Sequence, residues 1–209
     1  MKQSVLDRSL LEQAVQAYEA NLPQVEGYLA GRGIPREVAV TYRLGYVAEP
    51  TPGLGDNEYV GRLAIPYLTP SGVVDCRYRT LSGSGPKYLS RPGGKARMFG
   101  VSSLFAASTY VGVCEGELDA VVASSVAGIP SIGVPGASNW AAHYPLLFEG
   151  FSRVYVFTDG DDAGRDFGKK VAGTLEQAVV VPMPDGLDVS DLVGQRGPGA
   201  LKEMAGISE

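Results

Sequence analysis

VYVFTDGDDAGRDF, residues 154–167, runs from a strand-like apolar segment straight into three carboxylates within four positions. Val154, Tyr155, Val156 and Phe157 have the composition of a buried strand. Asp159, Asp161 and Asp162 follow, and acids this close repel one another unless water, a metal ion or a turn accommodates them. Asp159 and Asp161 are two apart, so in extended chain they project the same way, with Gly160 expected to let the chain turn between them. Asp162 is expected to cap a helix over 162–176, in which Ala163, Phe167, Val171 and Leu175 give one apolar face. A calcium loop beginning at Asp159 is rejected, because Ala163 and Lys170 would stand where ligating oxygens are required.

On either side of this stretch, strands and helices alternate. Strands are predicted at 109–114, 130–134, 153–158 and 178–183, with helices at 117–127, 138–149 and 162–176. Such alternation predicts an α/β fold, a small parallel sheet flanked by helices. The first half has another rhythm, that of a mixed α+β subdomain. A helix is expected over 5–20, with Leu6, Leu10, Val15 and Tyr18 on one face, then shorter helices near 23–31 and 35–42. The stretch 48–57 reads as a loop, and 60–68 and 73–80 as strands of a hairpin joined by TPSG. The glycine-rich segment 82–100 reads as a functional loop. The domains are expected to be 1–108 and 109–209.

Charge is unevenly spread. Of the 209 residues, 1–110 carry 12 Lys/Arg against 9 Asp/Glu, and 111–209 carry 6 against 14. Between 77 and 97 lie Arg77, Arg79, Lys87, Arg91, Lys95 and Arg97 and no acid. A basic stripe leading into an acidic half suits an anionic substrate handled with metal ions. Cys76 and Cys114 stand far apart, so neither a zinc site of the usual spacing nor a disulfide framework is expected. His143 is the single histidine, which argues against histidine-based metal or triad chemistry; a surface or packing role is expected of it. Without a membrane-length apolar stretch or a signal-peptide block, the expected location is the cytoplasm, that of the host if a phage encodes the chain, with no membrane partner.

Ligands of an open parallel sheet bind beyond the carboxyl ends of its strands. Three of the four predicted strands are followed by acids: Glu115 in CEGELDA, Asp159 and Asp161 in FTDGDDAGR, and Asp185, Asp188 and Asp191 in PDGLDVSDL. Acids gathered on one edge make a hard-oxygen site suited to Mg²⁺ or Mn²⁺.

A Glu after one strand and an Asp-x-Asp after a later one resemble the signature of the Toprim domain, shared by DnaG-type primases, type IA and II topoisomerases and OLD-family nucleases. VEGYLAGRGIPREVAVTYRLGYV (25–47), GRLAIPYLTPSGVVDCRYR (61–79) and GPKYLSRPGG with RMFG (85–94 and 97–100) resemble, in that order, the RNA polymerase core of DnaG-type primases. The similarity runs over roughly 22–195. It implies metal-binding positions at Glu115, Asp119, Asp159, Asp161 and Asp188. It also implies a template and nucleotide path along Arg62, Arg79 and Lys87, with Lys95 or Arg97 at the next basic site; Arg77 joins these as a binding candidate. Tyr78 and Tyr88, interleaved with the basic residues, are candidates for stacking on bases, with packing equally open for Tyr88. The last acidic motif departs from the family form DGEDPD: Ser190 stands where its final acid belongs, and Asp191 lies one place later as an alternative ligand. GVPGASNW (133–140) is closer to phage-type primases than to the usual ASLGT form. No counterpart of the family's zinc-binding domain is read in these residues.

The resemblance therefore implies a DNA primase, a nucleotidyltransferase that makes short RNA primers on single-stranded DNA from NTPs with Mg²⁺ or Mn²⁺. Glu115, as metal ligand or general base, Asp159, Asp161 and Lys87 are its expected catalytic residues. A replicative helicase and a separate zinc-bearing primase subunit are further expected partners. Two other readings are a Toprim metal-dependent nuclease and a nucleic-acid-binding subunit of a split primase.

Overall fold

The computed structural model describes residues 5–83, 85–93, 97–107 and 109–207. Lys95 lies outside them. The chain divides into two compact units, Met1–Lys95 and Ala96–Glu209.

The first unit opens with helix α1, Val5–Ala20. Its buried stripe is Leu11, Ala14, Val15 and Tyr18, the spacing of one helical face, while Leu10, expected on that face, is only half-buried. Short helices α2 (Glu26–Gly31) and α3 (Arg36–Thr41) follow. An antiparallel sheet of order β1-β2-β3-β4 then forms from β1 (Gly45–Tyr46), β2 (Arg62–Thr69), β3 (Gly72–Thr80) and β4 (Tyr88–Ser90). The TPSG hairpin is present, closing at Thr69↔Gly72. Strand alternation sends Cys76 and Tyr78 into the core under α1 and leaves Arg77 and Arg79 on the opposite face. Strand β4 lies inside the segment expected to be loop throughout, and pairs Tyr88 with Arg79 and Ser90 with Arg77. The Pro/Gly-rich loop 48–57 is tied down by the buried Asp56. Its carboxylate accepts from the Thr51 backbone N–H (2.8 and 3.0 Å) and from the Tyr18 hydroxyl. Burial, then Asp56, pushes the Tyr18 phenol well above its ordinary range.

The second unit holds α4 (Ser103–Ala106), β5 (Tyr110–Cys114), α5 (Glu117–Ser125), β6 (Ser131–Gly133) and β7 (Arg153–Thr158). It continues with α6 (Asp162–Ala172), β8 (Ala178–Pro182), α7 (Val189–Arg196) and α8 (Gly199–Ala205). Its sheet is wholly parallel, of order β6-β5-β7-β8, the α/β arrangement expected from alternation. Phe99 exchanges backbone hydrogen bonds with Gly133 (2.8 and 3.0 Å), and Met98, Val101 and Leu104 pack in this unit's core. The chain thus joins the second unit before the boundary expected at 108, because these apolar side chains find their burial there.

Helix α6 buries Phe167 and Val171 against the sheet, each contributing about 1.5–3 kcal/mol relative to exposure. The helix expected over 138–149 is replaced by two 3₁₀ turns, Ala137–Asn139 and Tyr144–Phe148. Pro145 has no N–H and disfavours helical geometry in the residue before it, yet Trp140, Tyr144 and Phe148 still reach the core. Helices α7 and α8 have no counterpart among the predicted elements. Among the described residues no helix is long and apolar enough to cross a membrane.

Candidate active site

Strands β5, β7 and β8 run in parallel, so the residues after Cys114, Thr158 and Pro182 arrive at one edge of the sheet. Glu115 follows the first, Asp159 the second and the loop to Asp188 the third; Asp119 comes from the first turn of α5. Asp159 is the focus. Burial first, then Asp119, Glu115, Asp188 and Asp161 in that order, pushes its carboxyl up to about 7. Beneath it, burial followed by Asp119 and Asp159 raises the Cys114 thiol well above its ordinary value, which leaves that thiol inert at neutral pH.

The DGDDAG spacing is set by backbone packing. Gly160 N–H donates to the Leu187 carbonyl and Gly186 N–H to the Gly160 carbonyl, both at 2.9 Å, zipping the Asp-x-Asp loop to the loop after β8. A Cβ on Gly160 would sit 2.0 Å from the Pro184 carbonyl oxygen, so close approach, and not a turn, demands glycine there. Gly164 answers the same need: its Cβ would lie 2.2 Å from the Asp159 carbonyl oxygen.

The helix cap falls one residue earlier than expected. Asp161 is the N-cap of α6, its Oδ1 accepting from Gly164 N–H at 2.8 Å. Asp162 is instead exposed and pairs with Arg165. Asp188 and Asp191 form a reciprocal capping box on α7, with Asp188 Oδ1 accepting from Asp191 N–H at 2.8 Å. Asp188 still acts on Asp159.

Asp119 is buried, and its Oδ1 accepts from the Ser190 N–H (3.1 Å) and hydroxyl (2.7 Å). Where the family pattern has an acid, this chain has a donor that clasps Asp119. Among the described residues no three His, Cys, Asp or Glu side chains are gathered as a ready-made metal centre. The donors are hard oxygens, and the acids around Asp159 raise its proton affinity. That is the setting for an ion held by a few carboxylates and completed by water or phosphate oxygens, and not for a closed protein cage.

The basic residues fall in different surroundings. Arg62 Nη1 donates to the Pro86 carbonyl at 3.0 Å, bracing the approach to Lys87, which is exposed. Arg77 lies over the Tyr88 ring with its Cζ 4.5 Å from the centroid, and Arg79 donates to the Tyr88 and Tyr28 hydroxyls. Arg97 belongs to the second unit, where it acts on Tyr144. Tyr78 cannot stack on a base, since it is fully buried and stacks on Tyr59 at 3.8 Å. His143 is exposed, edge-on to Tyr144. Ser190 and Tyr28 lie outside the site residues expected from sequence. Tyr28 belongs to the quoted EGYLAGRG segment, and Ser190 shows only as a departure from a pattern.

Acids converge on the carboxyl edge of this small parallel sheet, and the Toprim domain family model matches residues 110–199. Among curated relatives, the Gene 57 protein of Mycobacterium phage D29 is 43% identical over 150 residues, 69% of this chain and 98% of that protein. The DNA primase of Helicobacter pylori (strain ATCC 700392 / 26695) is 25% identical over 94% of this chain, which spans 42% of that protein's length. The crystal structure of the Aquifex aeolicus primase zinc-binding and RNA polymerase domains superposes with a TM-score of 0.79 at 23% identity, covering 100% of this chain and 62% of that one. A DnaG primase catalytic domain bound to single-stranded DNA superposes with a TM-score of 0.73 at 24% identity, over 96% of this chain and 82% of that one. The chain belongs to one family with the phage protein, carries a Toprim domain, and is a homologue of the DnaG-type primases with the fold of their catalytic cores.

Proposed function

We propose that this chain is a DNA primase core that joins NTPs into short RNA primers on a single-stranded DNA template with the help of Mg²⁺ or Mn²⁺. The observation that carries the reading is the Asp159 carboxyl, raised to about 7 by burial and by four neighbouring acids, a repulsion that a divalent cation would relieve. Asp159 and Asp161, with Asp188, would hold that ion, which supplies neutralisation of phosphate-oxygen charge during transfer. Asp161 commits one oxygen to the cap of α6, and its other has no protein partner among the described residues.

Glu115 serves as a further ligand or as the base that takes the proton of the attacking hydroxyl. Asp119, clasped by Ser190, orients the start of α5 beside Glu115. Lys87, exposed and flanked by Pro86 and Tyr88, contacts phosphate of the template or of the incoming nucleotide. Arg62, Arg77 and Arg79 add charge that binds backbone without reading sequence. The ssDNA-bound relative supports the template assignment.

The test is synthesis from labelled NTPs on single-stranded DNA with Mg²⁺ or Mn²⁺, with and without a supplied primer, for wild type, Asp159→Ala and Lys87→Ala. Metal-dependent oligonucleotides that vanish in both variants are expected. Extension only from a supplied primer would assign initiation to a zinc-bearing partner. Template shortening abolished by Asp159→Ala would replace the reading with a nuclease.

A further inference from the structure

Asp119 stands where the family resemblance places a metal ligand, and the structure engages it elsewhere. It lies in the first turn of α5 and is 7% exposed. Its Oδ1 accepts from both the backbone N–H and the hydroxyl of Ser190, at 3.1 and 2.7 Å. A carboxylate oxygen has two lone pairs, so these two donors occupy both of those on Oδ1. Oδ2 is turned back on the start of its own helix, where a Cβ on Gly116 would sit 2.6 Å from it. The Ser190 N–H is one of the donors that a helix N-terminus leaves without an intrahelical acceptor, so Asp119 caps α7 from the neighbouring helix.

Other acids of the edge are partly engaged in the same way. Asp161 Oδ1 accepts from Gly164 N–H and Asp188 Oδ1 from Asp191 N–H, both at 2.8 Å. Asp191 in turn directs Oδ2 to the Asp188 N–H at 3.4 Å. Set against the family form DGEDPD, residues 185–190 also lack two acids, with Leu187 and Ser190 in their places. Leu187 contributes its carbonyl, which accepts from Gly160 N–H at 2.9 Å. Two carboxylates fewer is the charge of one divalent ion. An ion that keeps several waters needs only one or two carboxylates, which the edge offers at Asp159 and the outer oxygen of Asp161. A second ion beside the first would need carboxylate oxygens of its own.

We propose that Ser190 is a positioning residue that withdraws Asp119 from the ligand set, so that the edge takes up one divalent ion where an acid at position 190 would let it take two. The inference rests on the primase reading for the role of that ion. An aspartate at 190 would bring a second carboxylate against Asp119 and remove the hydroxyl donor, and a cation between the two would relieve their repulsion. With Ser190 in place, Asp119 acts on the ion through space. It is first among the acids that act on Asp159, so its charge strengthens uptake without setting the number of ions.

The experiment counts Mn²⁺ bound to the whole chain, without nucleotide or DNA, from the electron paramagnetic resonance signal of the free ion. The variants are Asp159→Asn, Asp119→Asn, Ser190→Asp and the double variant Ser190→Asp with Asp119→Asn. Wild type is expected to bind one ion, and Asp159→Asn to lose it. Asp119→Asn keeps the oxygen that accepts from Ser190, so it should bind one ion more weakly. Ser190→Asp should bind two, and the double variant should return to one. Two ions on wild type, or one on Ser190→Asp that melts cooperatively, overturns the inference. If Ser190→Asp does not fold, Asp119→Asn decides alone: an ion lost there as completely as in Asp159→Asn makes Asp119 a ligand and overturns it. Any of these results beside primer synthesis that Asp159→Ala still abolishes means that the Ser190 inference alone has failed. A wild type that binds no Mn²⁺ and makes no primers would sink the primase reading as well.

Discussion

Asp159 is the residue at which burial and charge meet, and its behaviour has a definite sign. In the unfolded chain its carboxyl titrates near its ordinary value of 3.8; burial and the neighbouring acids push it up to about 7 in the folded chain. At pH values below both it is protonated in either state and contributes no difference. Between the two, the folded state binds more protons than the unfolded state, so stability falls as pH rises through that window. Thermal melts of the chain in EDTA should show a decline from pH 5 to 8 that is shallower in Asp159→Asn, and Mg²⁺ should recover part of the wild-type loss. Parallel curves for the two proteins would show that the acids do not destabilise one another. Ser190 makes a second case. Removing its hydroxyl leaves the buried Asp119 one donor short, a loss of about 1–3 kcal/mol by urea denaturation of Ser190→Ala. Ser190→Asp restores the family's acid but presses a carboxylate on Asp119, so it should be less stable than Ser190→Ala at pH 7 and approach it below pH 5. Equal stability of the three proteins would remove Ser190 from the support of Asp119.

At the scale of elements, the β7–α6 turn and the loop after β8 form one device through the Gly160 hydrogen bonds to Leu187 and from Gly186. Gly160→Ala should push the Pro184–Gly186 strip away and reduce primer synthesis at least tenfold, while Gly186→Ala, at a positive φ with open space around it, should cost only backbone strain of about 1–2 kcal/mol. Similar activity in both would mean that the zipped loops do not set the acids. Much of this region is legible in sequence because apolar runs ending on acids mark β5, β7 and β8, and the four-residue recurrence of Phe167 and Val171 marks α6. Other features escape for physical reasons. Asp161 outcompetes Asp162 for the cap because its extended backbone lets Oδ1 reach Gly164 N–H. Strand β4 hides in a glycine-rich basic segment and owes its existence to pairing with β3, a tertiary effect. Helix α7 does carry a local sign, Asp188 with Asp191 three residues on, but the same two acids also suit metal ligands. Over 138–149 the aromatic spacing mimics a helix although Pro145 forbids one.

For the molecule as a whole, charge is segregated: a net of +3 over residues 1–110 and −8 over 111–209. A single net value of −5 would forecast weak attraction to nucleic acid, but the proposed binding would be governed by the local field of the basic stretch. If Arg62, Arg77, Arg79 and Lys87 each neutralise one phosphate of single-stranded DNA, the logarithm of the binding constant should fall against the logarithm of salt with a slope of about −0.7 per contact, or roughly −3 in all. Lys87→Ala, exposed and outside any packing, should make that slope shallower by about 0.7 without moving the melting temperature. Arg165→Ala is the control of equal charge change. That guanidinium is in the acidic half and already paired with Asp162, so the slope should stay as in wild type. Fluorescence anisotropy with labelled oligo-dT between 50 and 300 mM salt, roughly the range over which counterion release is read, separates these cases. A slope unchanged by Lys87→Ala would place Lys87 off the backbone path and leave contact with the nucleotide triphosphate as its role. A slope that both variants change equally would mean that overall charge, and not the basic stretch, draws the DNA in.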